Sequence, residues 1–403
     1  MADDPSTTGS RWRDHLPWLI LFRCFRPAVG ARMLLLGAGG VVANVAGWRI
    51  LWQLFKGSED PAIRLLKSTS DTYGIWPAWP WTIELPNLPS ALWKQVNDLA
   101  QTMVHGDATF VACTFALLCG LWTLLVWSYF GAAMSRTACL RLCRDETAPW
   151  SDVAGFSISK FPSYFSAPLF PLLGILLASI PALILGVIAN IPAVGMFVAG
   201  LAFPVALLCG LFMTIIAVGF LFGWPFMWAT ISTEGTDAFD ALSRSYAYVY
   251  QRPLHYLFYA LVAAILGSLG YFVVELFVSG VPGFALWAAD WGMGTEQMQQ
   301  VRGSLQTLSG SVETQPDLSW GAKLIVFWVL CVKLLAVGYL VSFFWTAMSA
   351  IYLLLRRDVD ATEMDEIFLT DEQQTYGLPP LAKDDAGVPG VPEGSENSGS
   401  DVE

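Results

Sequence analysis

Between Phe165 and Ile231 the sequence contains no Asp, Glu, Lys or Arg. A water-soluble fold cannot carry so long an uncharged run, because only lipid or other apolar helices can surround it. Charge is scarce throughout, at 14% of 403 residues, against 55% hydrophobic residues and 18 Trp, which is a membrane composition. Histidine is rarer still: His15, His105 and His255 are scattered, with no HExxH or paired-ligand spacing. The seven cysteines lie mostly in or beside apolar blocks, so they read as small hydrophobes rather than a disulfide framework. Cys139 and Cys143 have helical i, i+4 spacing, but without a neighbouring His or second Cys pair they make no zinc site. Gly37, Gly39 and Gly40 follow no strand and are no phosphate loop, and for the same reason Gly267 to Gly270 is no nucleophile elbow. No catalytic residue, metal or cofactor is therefore expected, and the chain reads as non-enzymatic. No cleavable signal peptide is expected either: Asp3 and Asp4 open the chain, and the first long apolar run starts after Arg32.

The apolar residues gather into blocks that predict an all-α fold, a polytopic membrane bundle of about six transmembrane helices with amphipathic interfacial helices on the cytoplasmic side. Residues 1–28 form an N-terminal interfacial segment, in which Arg11, Arg13, Arg23 and Arg26 alternate with Trp18, Leu19, Phe22 and Phe25. The membrane domain is 29–355, with spans at about 29–54, 108–133, 167–189, 193–222, 254–278 and 323–355. The uncharged run holds spans three and four, joined by a turn at Asn190, Ile191 and Pro192, and Pro181 and Pro204 should kink them. Gly223, Trp224 and Pro225 mark the exit from span four. The outer segments are 56–107, with the Trp and Pro cluster at 75–81, and 281–320. The cytoplasmic segments are 134–166 and 223–253.

Net charge locates the tail and the orientation. The total is -11, yet Arg356 to Glu403 alone holds 13 acids and 3 bases. The acidity belongs to this cytoplasmic tail, disordered beyond about residue 375, and no broad basic face remains for nucleic acid. With both termini inside, the inner flanks carry 13 bases against 5 outside, as the positive-inside rule demands. An amphipathic segment, a proline (Pro27, Pro162 or Pro253) and a helical hairpin recur three times, a weak internal repeat.

Four constellations stand out. Glu275 and Lys333 lie well inside spans five and six, where charges are expensive and usually paired, so an intramembrane ion pair is expected. Gly39, Ala43 and Gly47 repeat every fourth residue and suit close helix packing. In the amphipathic helix over 237–253, capped by Thr236 or Asp237, Phe239, Leu242, Tyr246, Val249 and Tyr250 share one face, while Asp240 and Arg244 can pair. Ile367, Phe368 and Leu369, an apolar trio among acids, suit a short docking motif.

The stretches GWPFMWATIS, TDAFDALSRSYAYVYQRP and YLLLRRDVDATEMDEIFL resemble a family of uncharacterised bacterial multi-pass membrane proteins, over most of Trp12 to Leu369. The resemblance implies a six-helix protein of the bacterial inner membrane and supplies no activity. The expected function is a membrane scaffold or accessory subunit, in contact with the lipid bilayer and recruiting a protein partner through its acidic tail. The alternative is a transporter or channel subunit with a path between hairpins near Glu275 and Lys333.

Overall fold

The computed structural model describes residues 16–55, 109–308 and 320–369, and the backbone of residues 382–383 and 389–390. The extreme N-terminus, the first outer segment with its Trp and Pro cluster, and most of the tail lie outside the described residues. The chain divides into two compact units, 1–366 and 367–403. In the second, Ala382 and Lys383 pair antiparallel with Gly390 and Pro389. Ile367, Phe368 and Leu369 also belong to it, Ile367 buried and the other two half-buried.

In the first unit a 3-10 turn (Pro17–Leu19) leads into α1 (Ile20–Arg23), α2 (Phe25–Ala28), α3 (Ala31–Phe55), α4 (Phe110–Arg144), α5 (Trp150–Ser159) and α6 (Phe161–Ser166). Then come α7 (Leu169–Ala189), α8 (Gly195–Glu234), α9 (Ala238–Gln251), α10 (Pro253–Asp290), α11 (Thr295–Leu308) and α12 (Trp320–Asp360). Six helical stretches, α3, α4, α6 with α7, α8, α10 and α12, are long and apolar enough to cross a membrane. Helices suit that task because each satisfies its own backbone donors and acceptors. The protein is thus a polytopic all-α bundle.

Several elements run further than their local sequence suggests. Proline lacks an N–H and breaks the helical ladder, yet α8 continues through Pro225 to Glu234. Residues 225 to 233 are all buried, so packing outweighs that loss. Likewise α10 passes Pro282 and ends at Asp290, and α11 occupies part of the second outer segment. The turn between α7 and α8 does fall at Asn190 to Val194.

The bundle is centred on α12, which packs against α3, α4, α8 and α10. Its crossing with α3 is a backbone contact: a Cβ on Gly37 would lie 2.5 Å from the Gly338 carbonyl oxygen, and one on Gly338 would lie 2.5 Å from that of Leu34. The Gly39, Ala43 and Gly47 face meets α4 instead. Trp122 covers Gly47, where a Cβ would lie 1.9 Å from Nε1, and that Nε1 donates to the Ala43 carbonyl at 3.2 Å. Phe130 lies against Gly39. Replacing Gly338 by Leu is expected to cost about 3 kcal/mol, the upper end for overpacking, because the obstruction is backbone and cannot rotate away. Gly186, on α7, has open space where its Cβ would be, so Gly186→Ala should leave detergent unfolding midpoints unchanged or raise them.

Residues 16–28 of the N-terminal segment do not form one continuous helix. They break at Cys24 and wedge into the bundle, burying Leu21, Cys24, Pro27 and Ala28. Ser342 donates to the Ala28 carbonyl at 2.8 Å, and burial pushes the Cys24 thiol up to about 12. Arg23 and Arg26 stay on the outer side, exposed. By contrast α7 and most of α8 form a peripheral hairpin whose apolar side chains are largely exposed, as a lipid-facing surface requires.

Candidate functional site

The first charge after the long uncharged run is Glu234, and it stands at the centre of a buried network. It occupies the last turn of α8, which Gly235 ends in the left-handed conformation with φ 64, returning its N–H to Ile231 at 2.9 Å. Glycine adopts that conformation without strain. Asp237 then caps α9, accepting from the Asp240 N–H at 2.9 Å. This tight α8 to α9 link brings Arg244, two turns into α9, back over Glu234.

Glu234 uses both oxygens. Oε2 lies 2.8 Å from Arg244 Nη1, while Oε1 accepts from the Tyr352 hydroxyl at 2.8 Å and lies 3.3 Å from Arg356 Nε. Arg356 also donates to the Glu366 carbonyl at 2.9 Å. Arg244 reaches Asp240 Oδ2 at 3.1 Å, the expected i, i+4 pair, and Asp360 Oδ2 at 3.9 Å. Partial burial lowers the Arg244 pKa, but Glu234 and Asp240 outweigh it and hold the guanidinium above the ordinary arginine value.

Asp358 and Asp360 sit at the C-terminal end of α12, where the helix dipole disfavours anions. Tyrosine hydroxyls offset this: Tyr259 donates to Asp358 at 3.0 Å and Tyr248 donates to Asp360. Burial and the Asp360 carboxylate push the Tyr248 hydroxyl well up, which keeps it a donor.

A second set of bonds grips α8 just above Glu234. Arg136 of α4 donates to the Ser232 carbonyl at 2.6 Å and lies 4.2 Å over the Phe156 ring. Tyr164 shares a 2.8 Å hydrogen bond with Ser232 Oγ, Trp228 donates to the Tyr164 carbonyl at 2.9 Å, and Lys160 donates to the Gly235 carbonyl. Arg136 and Arg356, two of the thirteen bases counted on the inner flanks, are buried: α8 supplies the Ser232 carbonyl to the first and the Glu234 carboxylate to the second, and the segment after α12 adds the Glu366 carbonyl.

The face of α9 turned to the bundle is built largely of small side chains. Ala238, Ala241, Ser245, Tyr248 and Val249 face inward, and Phe239 and Tyr250 are exposed. Small side chains let α9 approach Gly223 of α8, whose open side faces Ser245. Tyr246 and Tyr250 reach the Ile216 and Ile215 carbonyls at 2.7 and 2.5 Å.

Within the membrane, Lys333 is buried at 1% exposure on α12, and Glu275 is half-buried on α10, accepting from Ser279 at 2.7 Å. The two helices pack together, and the carboxylate acts electrostatically on the ammonium. Among the described residues no group of three or more His, Cys, Asp or Glu is placed to hold a metal ion.

Glu234, Arg356, Tyr352 and Arg136 carry no local motif. The one sequence signal is that Glu234 ends the uncharged run, and a lone acid at the close of such a run needs a partner from elsewhere. Compared with family models, curated proteins and solved structures, the chain matches none.

Proposed function

We propose that the protein is a non-enzymatic scaffold or accessory subunit of a bacterial inner membrane, with the network end and both termini in the cytoplasm. The observation that carries this reading is Glu234: its oxygens are committed to donors from α9 and α12, so the conspicuous polar cluster ties helices together. Such a network stabilises one arrangement of helices. The alternative is a transport path between hairpins near Glu275 and Lys333; the open groove between α7 and α8 beside Pro181 lies on other helices and is lined by Gly174, Leu177, Leu208 and Phe212, with no charged side chain. The acidic tail supplies the recruiting element, and its charge suits a basic partner surface.

The test is co-purification from native membranes in mild detergent, comparing the full chain with one ending at Leu369. That cut preserves Arg356 and Glu366, which hold the network. A partner at least tenfold depleted with the shorter chain is the expected result. A partner retained equally by both chains would remove the tail from the proposal.

A further inference from the structure

Arg23, Arg26, Arg32 and Arg141 converge where α1 and α2, the start of α3 and the end of α4 meet. Asp145 closes α4 in the left-handed conformation, φ 57, and lies 3.9 Å from Arg23 Nη2 and 3.8 Å from Arg26 Nη1. These are long, exposed pairs and hold the arginines weakly. Arg32 donates to the Ala148 carbonyl at 2.7 Å and lies 5.0 Å over Trp150. Arg141 stands close enough to repel it, and Arg141 Nε is buried without a hydrogen-bond partner. The acids of the adjoining turn, Asp145 and Glu146, are both exposed. The α4 C-terminus favours cations, but that does not supply an acceptor for the buried Nε. Two like charges held together, with a donor left over, suit an anion offering several acceptor oxygens.

Its location identifies the source. Arg32 stands at the start of one helix long enough to span and Arg141 in the last turn of another, so both lie at the same end of the bundle, where headgroups and the water beyond them are within reach of long arginine side chains. Phe22, Phe25, Val29 and Leu35 are exposed alongside, a surface suited to acyl chains. We propose that Arg32 and Arg141, with Arg23 and Arg26 reaching in from the N-terminal wedge, bind the phosphate of an anionic phospholipid.

The experiment titrates delipidated full-length protein in neutral detergent with phosphatidylglycerol, phosphatidylcholine or inorganic phosphate, following the thermal unfolding midpoint. Phosphatidylglycerol is expected to raise it saturably, with the other two giving no comparable shift. Arg32→Gln combined with Arg141→Gln should weaken the phosphatidylglycerol midpoint at least tenfold. Arg23→Gln combined with Arg26→Gln, on exposed side chains that folding does not need, should weaken it several-fold. Equal effects of phosphatidylcholine would reduce the site to a hydrophobic surface, and an equal effect of inorganic phosphate would make it a free-anion site. Either result overturns the proposal, as does unchanged binding in the Arg23 and Arg26 variant.

Discussion

Replacing Glu234 by Ala should cost about 3–5 kcal/mol of folded-state stability, the range for removing one partner of a buried ion pair. The carboxylate is 11% exposed and the Arg356 side chain 9%, so the loss leaves a buried guanidinium held only by the Glu366 carbonyl at 2.9 Å and the exposed Glu366 carboxylate at 3.6 Å. Tyr352 loses its acceptor at the same time. Equilibrium unfolding in detergent measures the effect, with Asp240→Ala as its comparison. Asp240 also pairs with Arg244, but both side chains are well exposed, and a pair of that kind contributes roughly 0.2–1 kcal/mol. Similar losses in the two variants would show that water screens Glu234 as well.

Trp228→Ala is expected to be as damaging, about 3–5 kcal/mol for truncating a fully buried aromatic residue. The indole stacks on Trp345 with centroids 4.8 Å apart and planes 13° from parallel, and meets Trp224 and Tyr164 edge-on. Gly131 makes room for the stack, since a Cβ there would lie 2.5 Å from the Trp228 ring and 2.8 Å from Trp345. Removing the indole leaves a cavity at the junction of α4, α8 and α12, and leaves the Tyr164 carbonyl without its donor. Trp291, 81% exposed at the end of α10, is the control whose replacement by Ala should change the unfolding midpoint little.

Features fixed by local chemistry were legible before any fold was known. The uncharged run specified a hairpin because no other solvent accommodates it, and the polar break at Asn190 and Pro192 located its turn. A cap at Thr236 or Asp237, of which the structure uses Asp237, and Asp240 four residues before Arg244 follow from helix geometry alone. The centre of the candidate site was not legible for the same reason in reverse. Glu234 and Arg356 are far apart in sequence, on different helices, and neither has a partner within one turn of its own helix. Pro225 reads as a helix end because its missing N–H is a local property, whereas the burial that carries α8 past it comes from α4, α9 and α12. The packing face of α9 is not legible from hydrophobic patterning, which picks out large side chains. Here Ala241 and Ser245 permit close approach to α8, and the large Phe239 stays outside.

The most direct test of a packed, non-conducting bundle is ion flux through the purified full-length protein in liposomes, measured for protons and monovalent cations with dyes under an imposed gradient. A scaffold should give flux no different from empty liposomes, for the wild type and for Glu275→Gln alike. Flux above that background, abolished in a Glu275→Gln protein that still unfolds at the wild-type midpoint, would contradict the scaffold and place a conduction path beside Lys333.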